Sequence, residues 1–229
     1  MLRPLPVSAA VWVGLLLLAN GSLGQRPQDG HGNNRKGGVL DANLCRTPFY
    51  NTGKIGGFLG YTIEYPIGSG HQQLDGVAPL VITRITDRQG VRHACCESAY
   101  GQSPSDKSPD GTPWIYEPLP GFCNENQLEA AVSDDPYTWP DSWPDKMGDL
   151  YDPGWPGRWN GYFGKGVKNA DLETYFVIDD NPDIEFDYQP DAEDPLRHGL
   201  GTQMYIRGLQ WNNVLTESHN FWIYEIENE

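Results

Sequence analysis

Short apolar runs with a two-residue period, interrupted every few residues by Gly or Pro, set the character of this chain. Residues 57–65 (GFLGYTIEY), closed by Pro66, have the aromatic and β-branched content of a strand. Residues 77–86 (VAPLVITRIT) and 91–95 (VRHAC) flank Asp87-Arg88-Gln89-Gly90, a turn ending in Gly, and predict a β-hairpin. Residues 173–178 (ETYFVI) predict another strand, broken by Asp179-Asp180-Asn181-Pro182-Asp183. Residues 203–211 and 216–226 predict two more, joined through Asn212-Asn213. In the last, Trp222, Tyr224 and Ile226 share one face while Phe221 and Ile223 take the other, the pattern of an interior strand covered on both sides. Asn124-Glu125-Asn126-Gln127 opens like a capping box before Leu128, Ala131 and Val132, predicting one helix of about two turns.

The 27 Gly and 19 Pro in 229 residues leave little room for longer helices, and 38% hydrophobic residues suffice for one sizeable core. The expected fold is mainly β, an antiparallel β-sandwich-like module over residues 39–229 with long Trp/Pro/Gly/Asp-rich loops, of which 101–113 is one. Residues 25–38 (QRPQDGHGNNRKGG) read as a flexible leader. Before them, Arg3, the apolar run 7–19 and the small residues of Ser22-Leu23-Gly24 form a signal peptide, 1–24, with cleavage before Gln25. That run is shorter than the ~20 residues needed to span a bilayer. The mature chain is therefore expected to be secreted or cell-surface, with no membrane span. The chain stops at Glu229 just after its interior-type strand, so downstream domains of a longer chain, or other extracellular surface components, are the expected partners.

Charge changes the picture most in residues 134–194, which hold sixteen carboxylates and four basic side chains of a chain whose net charge is −15. An acidic chain with no basic stripe excludes nucleic acid as a partner. Alternating oxygen donors at Asp179, Asn181, Asp183, Glu185 and Asp187 resemble the first half of a calcium loop, with Asp171, Glu173, Asp191 and Asp194 near enough in sequence to help. It is no EF-hand: Ile184 replaces the turn Gly, and Pro190 stands where the closing Glu belongs. An irregular Ca²⁺ site is the functional reading, and a solvated acidic surface the plain one. Four cysteines in an oxidising compartment predict two disulfides. Because the adjacent Cys95 and Cys96 close poorly on each other, Cys45 and Cys123 are expected to take one each.

The same stretch repeats Thr138-Trp139-Pro140-Asp141 as Ser142-Trp143-Pro144-Asp145, echoed by Gly154-Trp155-Pro156-Gly157 and followed by Trp159. Proline after each Trp rules out a helix interior or central strand, so this ribbon must lie across the domain. Its indoles serve either as a packed lid or as a sugar-stacking platform formed by Trp139, Trp143, Trp155 and Trp159. The Gly161–Gly166 segment (GYFGKG) lacks the GxxxxGK[ST] spacing of a phosphate loop, and its glycines read as tight-turn residues. No serine sits in a GxSxG elbow and no His pair has metal-ligand spacing. Paired acids for glycoside hydrolysis need only two carboxylates at the right separation, and this sequence does not single out two. No catalytic residues are identified. A structural or binding module is the leading expectation, and a carbohydrate-active enzyme or carbohydrate-binding module the alternative.

From TGKIGGF and EYPIGSGHQQLDGVAPLV through GWPGRWNGYFGKGVKNADLETYFVIDDNPDIEF to RHGLGTQMYIRGLQWNNVLTESHNFWIYEI, most of residues 43–229 resemble the N-terminal region of large uncharacterised secreted or cell-surface bacterial proteins. Proteins of that kind often carry a C-terminal sorting domain. The resemblance implies an extracellular setting and further β-structure after FWIYEI. It implies no catalytic residues.

Overall fold

The structure, a computed structural model, describes residues 29–57, 60, 62–100, 106–148 and 151–229. The expected signal peptide lies outside the described residues, as do Phe58, Leu59 and Tyr61 of the strand predicted over 57–65 and residues 101–105 of the predicted loop. Twelve strands occur among the described residues: β1 (Gly37–Leu40), β2 (Thr47–Tyr50), β3 (Ile63–Glu64), β4 (Gln72–Leu74), β5 (Leu80–Thr86), β6 (Arg92–Ser98), β7 (Glu117–Pro118), β8 (Asn160–Gly161), β9 (Gly164–Lys165), β10 (Leu172–Asp179), β11 (Thr202–Gln210) and β12 (Phe221–Asn228). The fold is mainly β, and every strand pair is antiparallel. The predicted hairpin is β5–β6, turning through Asp87–Val91, where the Asp87 carboxylate accepts the N–H groups of Gln89 and Val91.

A four-stranded sheet in the order β12-β11-β10-β7 organises the molecule. Directly paired residues share a face, so the register sorts the sheet into two surfaces. One carries Phe176, Ile178, Met204, Ile206, Trp222 and Tyr224. The β1–β2 hairpin packs there, with Phe49 stacked on Phe176 at 6.0 Å and edge-on to Trp222 at 5.6 Å. The opposite face carries Tyr175, Tyr205, Arg207, Glu225 and Glu227, and is partly covered by Phe122 and the Trp-Pro ribbon. Gly208 lets the first packing happen: a Cβ there would lie 2.8 Å from the Trp222 ring, 2.9 Å from Leu40 and 3.0 Å from Thr174. Gly208→Ala is therefore expected to destabilise by about 1–3 kcal/mol through overpacking, read as a lower urea midpoint at unchanged slope.

Three expectations need correction. Residues 124–132 form no helix: the Asn124 side chain accepts the Asn126 N–H in a local turn, Leu128 is 91% exposed, and the chain then extends along β10. There Val132 bridges Thr174, and the Ala131 carbonyl accepts the Thr174 hydroxyl at 2.7 Å. The capping signal was real but local, and pairing with the sheet edge prevails. Among the described residues the only helical turns are 3₁₀, at Gly32–Asn34, Pro136–Thr138 and Pro144–Lys146.

The described part of the expected leader is built into the fold. Gly30 N–H donates to both Asp179 oxygens at 3.0 and 3.1 Å, Arg35 pairs with Glu117, and β1 begins at Gly37. Finally, β12 is an edge strand. Trp222 and Tyr224 pack against the core, while Phe221 and Ile226 are exposed. No helix among the described residues is long and apolar enough to cross a membrane.

Candidate functional site

The residues expected to ligate calcium, Asp179, Asn181, Asp183, Glu185 and Asp187, lie at the end of β10 and in the loop that follows it. Among the described residues no three His, Cys, Asp or Glu side chains are arranged to hold a metal ion. Most of the alternating oxygen donors meet the protein's own donors. Asp179 takes the N–H groups of Gly30 and Asn181, and burial pushes its carboxyl up to about 7. The Asn181 side-chain oxygen Oδ1 accepts from Arg197 and from His198 N–H, and Asp183 accepts the Glu185 N–H at 2.7 Å. Asp187 faces Gln89 and Arg88 of the β5–β6 turn. Of the nearby acids, Asp171 caps Asn212, Glu173 takes the Trp159 indole N–H, and Asp191 accepts the Glu193 N–H. Asp194 accepts the Leu196 N–H. The buried cation of this region is Arg197, bonded at 2.8 Å to the equally buried Asp180.

The two expected disulfides are not formed, and all four cysteines are free thiols. Successive residues of β6 point to opposite faces, so Cys95 is buried with Ile85 and Leu200 while Cys96 is exposed. Cys123 belongs to the main core, and Cys45 is buried where its N–H meets the Asn43 side chain. Burial holds the Cys95 thiol up at about 11, which makes it inert rather than reactive.

The four tryptophans separate into two kinds. Trp143 and Trp159 are each 1% exposed and pack edge to face at 5.5 Å, with Trp143 5.9 Å from Tyr175. Their indole N–H groups are satisfied by the Arg158 carbonyl and by Glu173. Trp139 tilts against Trp159 and donates to the Val132 carbonyl. These three form the lid. Trp155 alone of the four lines an open cleft of about 470 Å³ on the polar face of the central sheet. Among the described residues it is also the one non-glycine with positive φ, at +51°. An aromatic residue in the left-handed region costs on the order of 1–3 kcal/mol, and such strain concentrates at functional sites.

Around Trp155 the cleft brings together Tyr162, Tyr175, Tyr205, Arg207, Asp145, Lys146, Glu225 and Glu227. Asp145 is fixed by the Asn160 amide, the Tyr175 hydroxyl at 2.8 Å and Lys146 at 3.0 Å. Arg207 lies 3.8 Å over the Tyr175 ring and donates to the Asn160 carbonyl at 2.6 Å. Lys146 sits 5.3 Å over the Trp155 ring. The Tyr205 hydroxyl takes a bond from Gln203 and gives one to Glu227. Burial raises the Tyr175 phenol far above its ordinary range and Tyr205 to about 12, so both remain neutral hydroxyls.

Apart from Trp155, none of these cleft residues was read from the sequence as a site residue, although a signal was there. Tyr205 and Arg207, and Glu225 and Glu227, are spaced by two, the strand period that puts each pair on one face. The cross-strand register then sets Tyr175 opposite Arg207, and Tyr205 opposite Glu225. The Gly161–Gly166 segment, whose glycines read as tight-turn residues, holds the tight β8–β9 turn, and Tyr162 within it lines the cleft. Comparison with protein families, curated proteins and solved structures returns no match to this chain.

Proposed function

We propose that the protein is a binding module of the cell exterior that holds a neutral carbohydrate in the cleft between its central sheet and the Trp-Pro ribbon. The observation that carries this reading is Trp155, a large, half-buried ring kept in a strained conformation on the wall of a polar cleft that none of the other three indoles of the ribbon lines. A pyranose offers an apolar ring face for stacking and hydroxyls that both donate and accept. Tyr162, Tyr205, Glu225 and Glu227 supply matching groups at the rim. Three carboxylates against Lys146 and Arg207, on a chain of net charge −15, disfavour uronic, sulfated or phosphorylated sugars. The extracellular setting rests on the N-terminal signal pattern and on the resemblance to exported proteins.

The test is calorimetric titration with neutral oligosaccharides (cello-, xylo-, manno- and chito-series), with uronic-acid oligomers for contrast. Wild-type protein is expected to bind a neutral series. Trp155→Gly should weaken that binding by about tenfold or more, from the loss of a stacked aromatic face. Its melting temperature should stay close to that of wild type, because glycine relieves the left-handed strain while losing the packing of the half-buried ring on the core. No binding across the panel, or binding indifferent to Trp155→Gly, would refute the reading. Trp143→Ala cannot serve here, since it opens the core.

A further inference from the structure

A second concavity lies on the other face of β12. It is a groove of about 560 Å³ framed by Tyr65, Trp222 and Tyr224, with Ile55, Leu74 and Val77 completing its apolar wall. None of its described lining residues carries a charge, on a chain that is 21% charged. Most polar side chains at its edge are already paired within the protein. Asn220 donates to Thr47 and accepts from Gln210, the Tyr65 and Ser218 hydroxyls bond at 2.9 Å, and Tyr224 donates to the Gly53 carbonyl at 3.2 Å.

The walls come from distant segments and are pinned by backbone bonds. Ile55 and Val77 exchange two at 2.8 Å, Arg46 and Glu64 exchange two at 3.0 Å, and Leu44 N–H donates to the Glu217 carbonyl at 2.8 Å. The groove is thus shaped by the fold before anything binds, which reduces the ordering cost of a ligand. Its size also decides what kind of occupant suits it. Twelve lining residues fall well short of the roughly 20–30 that each side of a stable protein interface contributes, while the volume lies within the ~300–1,000 Å³ of small-molecule sites.

We propose that this groove is a binding site for an uncharged, predominantly apolar small molecule. It is separate from the carbohydrate cleft, with β12 forming a wall of each. The test uses the uncharged fluorophore N-phenyl-1-naphthylamine on the full chain. Saturable one-to-one binding is expected, with Leu74→Glu and Val77→Glu each weakening it by about tenfold or more, because a carboxylate in an apolar wall is costly to desolvate. Both side chains are nearly half exposed, at 45% and 46%, so each variant should melt with wild type. Oligosaccharide titration of the same variants should be unchanged, which keeps this result independent of the cleft. Unsaturable fluorescence, or saturable binding that neither substitution weakens, would overturn the proposal. So would a wild-type dimer in light scattering that either substitution dissociates, since the groove would then be covered by a second copy.

Discussion

Replacing Arg197 by Met is expected to cost about 3–5 kcal/mol, the usual penalty for leaving a buried charge without its partner. The guanidinium bonds the Asp180 carboxylate at 2.8 Å, Glu229 at 2.8 Å, Asn181 at 3.2 Å, and the His198 and Thr202 carbonyls. Met keeps the apolar length and satisfies none of these. Asp180 also accepts the Leu200 and Thr202 N–H groups and the Thr202 hydroxyl, so it cannot turn to solvent. Burial already pushes the Asp180 carboxyl up and Arg197 opposes that push, so in Arg197→Met the carboxyl will take a proton. The deficit should accordingly be smaller near pH 5 than at pH 8. Urea unfolding at both pH values measures it. Asp180→Asn in the Arg197→Met background should lose much less than the sum of the two single changes, since the charge being stranded is gone. A loss under about 1 kcal/mol at pH 8 would mean that the pair is dispensable to the acidic layer.

Glu97→Gln should stabilise the protein at pH 8, through the linkage between protonation and folding. Glu97, on β6, is buried beside Asp183, and its Oε2 has no hydrogen-bond partner among the described residues. Ile85, Phe186, Tyr188 and Leu200 surround the pair with apolar surface. Desolvation first, and then the bond to Asp183 and the nearby charges of Asp183, Asp180 and Glu185, hold the Glu97 proton on well above the ordinary carboxylate range. The folded protein therefore keeps a proton that the unfolded chain has lost. The contribution to stability is whole below about pH 4.5 and falls as pH rises towards the folded-state value, by up to about 1.4 kcal/mol per unit. Asp179, raised to about 7, adds a decline of the same sign between its unfolded value and neutrality. Glutamine keeps the shape and a donor for Asp183 without the charge. Melting curves from pH 5 to 9 should thus fall steeply for wild type and flatten for Glu97→Gln above neutrality. Parallel curves would show that the pair is solvated. A large recovery of wild type at pH 8 on adding millimolar Ca²⁺ would show that the pair takes a metal in place of the proton.

The sequence by itself determined the elements whose signals are local. Alternation and Gly-containing turns located β5–β6, β10, β11 and β12 and the mainly β class, because a two-residue period and a turn each depend on neighbours a few residues away. It also placed the Trp-Pro ribbon across the domain, since proline excludes the other options locally. Tertiary structure decided how each of these residues is used. Trp143 and Trp155 sit in nearly identical Trp-Pro contexts, yet one is core and the other faces the cleft, because only the first lies over Tyr175. The carboxylates at 179–187 have the alternation of a calcium loop, but Gly30, Arg197 and Gln89 approach from far along the chain and claim the lone pairs first. Residues 124–132 carry a helix-capping signal that Thr174 and Val132 override. The cleft itself exists only once the register sets Tyr175 opposite Arg207 and Tyr205 opposite Glu225. Periodicity says which side chains share a face, but burial, partner and charge compensation come from residues brought together across the fold, and no local pattern carries that information.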